Sequence, residues 1–157
     1  MSTPTETALA RRWRLDINMD EVLTPDFQLC PAITEFQWTA EPNLEDDTSY
    51  DTDGWGEQTK TGQDWEVQVT FNRKASPDST VYSTVHEKIR LAAIGAYGEA
   101  SKIHLRFLDR NGLPEAYEGR AIPEWEPQGG EARDLDQVQV TFHGTGPLTP
   151  ITNPVTP

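Results

Sequence analysis

One cysteine, three histidines and half as many basic as acidic residues are all that this 157-residue chain offers to the commoner chemistries. Cys30 stands alone, which excludes an internal disulfide framework and any multi-cysteine metal site. Its plain role is that of a small apolar filler, because no base adjoins it in the sequence to activate a thiol. No stretch reaches the ~20 apolar residues that a membrane span requires. The opening MSTPTETALARRW carries positive charge with no apolar run behind it, which is not the pattern of a secretory signal. His86, His104 and His143 lie far apart, with no H-x-x-x-H or H-E-x-x-H spacing, and each is expected on a polar face. There is no G-x-S-x-G, no phosphate-binding glycine loop and no Cys–His pair. With 26 acids, carboxylate pairs at a glycosidase separation arise by chance and carry no weight. The expectation is a chain that is not an enzyme and takes no cofactor or metal.

Lys+Arg 13 against Asp+Glu 26 give a formal charge of −13. A surface this acidic repels phosphates and argues against a nucleic-acid clamp. It remains compatible with a protein that lets nucleic acid pass without sticking to it. The length suits one domain, able to bury roughly 70% of the surface its unfolded chain exposes.

What is present alternates. Trp13, Leu15, Ile17 and Met19 interleave with Arg14, Asp16 and Asn18, the pattern of a half-buried strand. Ile33 to Trp38 reads as a second strand with Phe36 and Trp38 on one face. Trp65, Val67, Val69 and Phe71 form the clearest strand, with Glu66, Gln68 and Thr70 opposite. Ile103, Leu105 and Phe107 make another, followed by the turn Asp109-Arg110-Asn111-Gly112 and a return strand near Glu115 to Trp125. Val138, Val140 and Phe142 give the last. Ser76-Pro77 reads as a cap with proline in the first turn, and Val81, Val85, Ile89 and Ala92 recur at helical spacing, which predicts one helix over about 78–95. The expected fold is mainly β: an antiparallel sandwich or small barrel with one flanking helix. Residues 1–10 are expected as a flexible arm and 144–157 as an extended proline-rich tail.

Residues 42–64 read as one long acidic loop. An EF-hand alignment with Gly54 at its sixth position puts Lys60 where the bidentate Glu belongs, and no helix flanks it. A looser calcium site from Asp46, Asp47, Asp51 and Asp53 stays open beside a plainly solvated loop. Trp13 and Trp65 lie in phase with apolar partners and belong to a core. Trp55, flanked by Gly54 and Gly56, does not, and it suits a docking anchor or a sugar platform.

In their order these pieces resemble the major tail tube proteins of long-tailed bacteriophages. The resemblance is carried by W-x-L-D-I at Trp13 to Ile17, I-T-E-F at Ile33 to Phe36 and D-D-T-S-Y-D-T-D-G-W at Asp46 to Trp55. It continues through W-E-V-Q-V-T-F with Asn72-Arg73-Lys74, the central helix, D-R-N-G, E-G-R-A at Glu118 to Ala121, and V-T-F-H-G-T-G-P-L. It covers about residues 13 to 150. It implies a single tail-tube domain over 1–157 whose copies form stacked, hexameric rings in the virion tail, assembled in the host cytoplasm, with DNA passing through unbound. The partners it implies are further copies, a tape measure protein, distal tail or baseplate proteins and a tail terminator, with no membrane. Candidate assembly residues are Leu44, Asp46, Asp47, Tyr50, Asp51, Asp53 and Trp55. Candidate lumen residues are Glu66, Gln68, Thr70 or Gln137, Gln139, Thr141, as equal alternatives. Two other readings stand: an acidic binding module for carbohydrate or calcium, and another virion part such as a terminator or connector.

Overall fold

Strands of alternating burial, plainest in β4 from Trp65 to Asn72 and in β7 from Gln137 to Phe142, build one antiparallel sheet in the computed structural model, which describes residues 5–155 apart from Ser79. Seven strands, β1 (Trp13–Asn18), β2 (Phe27–Leu29), β3 (Ile33–Asp46), β4 (Gln58–Asn72), β5 (Ile103–Asp109), β6 (Ala116–Pro127) and β7 (Gln137–Pro150), pair in the order β2-β1-β5-β6-β7-β4-β3. One helix, α1 (Thr84–Ala93), joins β4 to β5. The sheet does not close, so β2 and β3 are its two borders.

Curling brings the ends of that order face to face. Trp13 of β1 stacks on Phe36 of β3 with ring centroids 5.5 Å apart, and Trp38, Phe107 and Tyr117 complete an aromatic cluster between the two halves. Behind it, Leu15, Ile17, Val67, Val69, Phe71, Leu105, Val140 and Phe142 are wholly or almost wholly buried. The expected sandwich-like packing is therefore made by one sheet folded over its own inner face. Trp65 lies flat across the strands, its indole N–H donating to the Gly146 carbonyl at 3.0 Å. Gly119 and Gly144 make room for that ring, since a Cβ would meet it at 2.6 and 2.4 Å respectively.

The structure corrects four expectations. Residues 42–64 are mostly paired strand: β3 and β4 form a long hairpin paired from Glu35↔Thr70 to Asp46↔Gln58 with one register shift at Asn43/Leu44, leaving only 47–57 as its tip. The helix is shorter than 78–95. A turn closes ahead of it through the Ala75↔Tyr82 bridge, with Ser76 N–H donating to the Val81 carbonyl, so Pro77 sits in that turn and not in a first helical turn. His86 is fully buried, not on a polar face, and stacks on Phe71 at 4.0 Å. The segment after residue 144 continues β7 to Pro150, paired with β6 through Tyr117↔Pro150, and is no free tail over that length. Of the expected N-terminal arm, residues 1–4 lie outside the described residues, and Ala10–Arg12 form a 3-10 turn.

Two measurements test this packing. Burial pushes the His86 imidazole down to about 4, opposed by its contact with the Pro31 carbonyl and reinforced by Arg73 and Lys74. The unfolded chain takes up that proton near 6.5, so it binds more protons than the native state between about 6.5 and 4. The His86 contribution is thus complete above pH 6.5 and shrinks as pH falls through that window, by up to ~1.4 kcal/mol per unit. Denaturant titrations of His86→Gln against wild type are expected to show a flatter pH profile there; an unchanged slope would contradict it. Gly144→Ala is expected to lower stability by roughly 1–3 kcal/mol through overpacking against Trp65, measured as a shift in the urea midpoint.

Candidate functional site

The β3–β4 hairpin is the place where the sheet outgrows its core. Past Trp65 no residue of β4 toward the tip is buried, and β3 is exposed from Glu41 to Asp46. Backbone pairing alone carries the two strands outward. The tip is nevertheless ordered by its own bonds. Asp47 N–H donates to the Glu57 carbonyl at 2.8 Å, Glu57 N–H to the Thr48 hydroxyl at 3.0 Å, and the Thr59 hydroxyl to the Asp47 carboxylate at 3.0 Å. A 3-10 turn at Tyr50–Thr52 leads into Asp53 and Gly54, both at positive φ, where glycine is unstrained. Thr48 donates from side chain and backbone to Asp46 and holds that carboxyl below its ordinary value. These bonds give the tip a defined conformation of its own.

Its chemistry is acidic and aromatic. Glu45, Asp46, Asp47, Asp51, Asp53 and Glu57 fall within thirteen residues that contain no base. Tyr50 is fully exposed and Trp55 is 79% exposed, while Leu44 is half exposed. All seven residues expected at an assembly surface are thus brought to the outer hairpin. Among the described residues no group of three or more His, Cys, Asp or Glu side chains is placed to hold a metal ion. Asp46 and Asp47 are turned toward Thr48 and Thr59 instead.

The two sets of lumen candidates prove to be one surface. Gln68 faces Thr141 and Thr70 faces Gln139 across β4 and β7, with Glu66 opposite His143 and Gln137 opposite Asn72. The rows continue onto β3 through Glu35, Gln37 and Thr39, and onto β6 through Glu124 and Glu126. Around the candidates themselves, Glu35, Gln37, Thr39, Glu66, Gln68, Thr70, Gln137, Gln139, Thr141, Glu124 and Glu126 carry acids, amides and hydroxyls with no Lys or Arg among them, and His143 pairs with Glu124 at 2.8 Å. The outer face of β1, β5 and β6 is different. There Asp16, with its side chain buried, lies between Arg14 and Arg106 at 2.8 and 2.9 Å, and Arg120 reaches Glu99 at 3.1 Å. Acids and uncharged polar residues dominate the first face; ion pairs neutralise the second.

Sequence reasoning missed a groove of about 490 Å³ between the start of β1 and the border of β3. Trp13, Ile33 and Phe36 line it together with Gln68, Thr70 and Gln139 of the polar face, with Arg11, Arg110 and Glu35 alongside. Its walls come from residues about a hundred positions apart, so no local pattern announces it.

No family model matches the chain, and no curated protein matches it in sequence. Solved structures match it in fold. The SPP1 tail tube is 14% identical with a TM-score of 0.65, over 92% of this chain and 79% of that one. A subunit from the tail of an empty gene transfer agent particle, refined with C6 symmetry, is 10% identical with a TM-score of 0.62, over 92% and 99%. A subunit of the anti-feeding prophage baseplate is 12% identical with a TM-score of 0.56, over 93% and 95%. Across nearly its whole length, this chain is similar in fold to subunits of a tail tube, of a sixfold tail and of a baseplate.

Proposed function

We propose that this chain is a structural subunit that assembles into stacked rings, most simply hexameric, forming a virion tail tube through which DNA passes. The observation that carries the reading is the open curled sheet with its projecting acidic hairpin, in a fold similar to that of subunits in a tail tube and in a sixfold tail. The whole of 1–157 then acts as one tail-tube domain in the virion tail. Its partners are further copies in the ring and the next ring, a tape measure protein, distal tail proteins and a terminator. No described helix is long and apolar enough to cross a membrane.

Two unpaired borders suit such a role. β3 is a 14-residue border and β2 only three residues long, so the exposed backbone groups are very unequal. Pro42, the register shift at Asn43/Leu44 and the charges of Glu41, Glu45 and Asp46 blunt the outer part of β3 against indiscriminate pairing. The part from Ile33 to Thr39 is free to pair with a neighbour, and rings close from such head-to-tail contacts when the rotation per subunit is right. In that ring the face bearing Glu66, Gln68, Thr70, Gln137, Gln139 and Thr141 lines the bore. Its acids, part of the −13 that each of six copies carries, repel phosphates, and its uncharged amides and hydroxyls let DNA slide. The Debye length of about 8 Å keeps that repulsion local, which suits a narrow channel.

The baseplate likeness favours a second reading, in which the chain caps or joins a tube instead of extending one. Length separates the two: a tube subunit polymerises without limit, and a joint stops at one or two rings. For the tube reading, Trp55→Ala combined with Asp51→Asn and Asp53→Asn is expected to leave the monomer folded. Losing one aromatic anchor of ~2 kcal/mol or more raises the concentration needed for tubes on the order of 30-fold. Negative-stain microscopy at matched concentrations checks this, and a variant that forms tubes like wild type would remove the hairpin tip from the assembly surface.

A further inference from the structure

At the β2 border one side-chain hydrogen bond has its direction fixed by everything around it. Asn18 ends β1, is buried, and opens the turn that brings the chain back as β2. Its Oδ1 accepts from the Asp26 N–H at 2.9 Å and from the Asp20 N–H at 3.1 Å, so the side-chain amide cannot be turned over. Its Nδ2, a donor only, therefore points at His104 Nδ1, 3.2 Å away. That ring nitrogen has to be the acceptor. The ring proton then sits on Nε2, which faces the Glu118 carboxylate at 3.6 Å.

We propose that His104 is a proton-operated latch on the turn 19–26 and the β2 border: neutral, it holds Asn18 in place, and protonated, it lets Asn18 go. The ring is part-exposed, so solvent reaches it, and a second proton has only Nδ1 to occupy. Nδ1–H and the Asn18 amide hydrogens then confront each other, two donors without an acceptor. The surrounding charges do not relieve that conflict. From β6, Glu118 draws the charged ring away from Asn18, and Arg120 lies opposite His104 in the ladder. From the turn, Glu21 accepts the His104 backbone N–H at 2.8 Å and stands 3.9 Å from Arg120, while Asp20 and Asp26 give Asn18 their amides. Asp16 is taken by Arg106 and Arg14, and Lys102 by Glu99. Phe27 of β2 meets the ring edge-on at 5.1 Å, with Arg106 over its own face. No carboxylate reaches Nδ1 to replace Asn18.

Little else holds this border. β2 pairs with β1 over three residues only, and Asn18↔Phe27 is the pair next to the turn. The turn itself carries Val22 and Leu23, both almost fully exposed, on N–H groups that donate to the Asp20 carboxylate. Asn18 is thus the one buried side chain that ties the turn to the sheet at two of its amides. Releasing it frees the turn without touching the aromatic cluster across the core. The latch works within one chain and does not depend on the tail-tube reading; in a tube it loosens one of the sheet's two borders as pH falls.

Amide exchange of the full-length monomer at about pH 7.5 and about pH 5.5, expressed as protection over an unstructured peptide, tests the latch. Wild type is expected to lose protection over residues 19–29 by roughly tenfold in acid, the effect of one buried donor left without a partner. Peptides covering Val138 to Phe142 report global stability in the same samples, so any effect of His86 is read separately. His104→Gln still accepts from Asn18 and does not titrate; its protection over 19–29 is expected to stay within about twofold between the two conditions. Asn18→Asp offers a carboxylate oxygen to Nδ1–H, and is expected to keep or gain protection in acid. Circular dichroism checks that both variants fold. Unchanged protection in wild type, an equal loss in His104→Gln, or a loss in Asn18→Asp as large as in wild type would overturn the proposal.

Discussion

Everything distinctive in this structure follows from a sheet that folds over on itself without joining its own borders. The inner faces meet through side chains: Trp13 of β1 stacks on Phe36 of β3, and Trp38, Phe107 and Tyr117 fill the space between. That cluster hides apolar area, which is the main favourable contribution to folding. It does nothing for the backbone groups along the free side of β3. An exposed border of 14 residues is a standing invitation to pair, and a monomer would gain by blunting all of it. Here Pro42 and the shift at Asn43/Leu44 blunt the outer part, and a second shift at Ile33/Glu35 interrupts only the first residues of the strand. The portion nearest the core is left available, and availability there is what an assembling subunit needs.

Charge is partitioned by the same architecture. The β1, β5 and β6 side ties its acids to arginines, as Asp16 shows between Arg14 and Arg106. On the β3, β4, β7 and β6 side the acids around Gln68 and Gln139 make no ion pair with Lys or Arg among the described residues, and the tip at 47–57 adds Asp47, Asp51, Asp53 and Glu57. Neutralised surfaces suit contact between subunits, since buried unpaired charge is costly. The uncompensated face suits exposure to a polyanion that must not bind. The tip is the exception: acidic yet bearing exposed aromatics, it fits contact only with a surface that supplies cations.

Much of the core was legible because its strands alternate. Trp65 to Phe71 and Val138 to Phe142 are half-buried, so each records its two faces in its residues. Trp13 to Asn18 alternates in the same way although both its faces are covered from Leu15 onward, Asp16 lying under Arg14 and Arg106. The Asp109 to Gly112 turn was legible for the same local reason. The outer hairpin was not. From Pro42 to Asp64 both faces are solvated, no period of two survives, and the pairing is held by backbone bonds that composition does not record. A three-residue β2 is too short to leave a pattern. His86 was misplaced because a polar ring among helix residues gives no sign of the Phe71 ring waiting across the core. Of the candidate site, the residues of the tip were legible from their clustering in sequence. That Glu66 and Gln139 share one face, and that Arg11 and Arg110 share a groove with Phe36, depends on strand order and could be read only from the fold.

The central claim is that the free border of β3 and the hairpin tip are where copies meet. Amide hydrogen exchange, compared between monomer and assembled protein, tests it most directly. Assembly is expected to slow exchange in β3 from Ile33 to Thr39 and in residues 47–57, leaving the already paired β5 and β6 unchanged. Assembled protein in which those two segments exchange as fast as in the monomer would contradict the account.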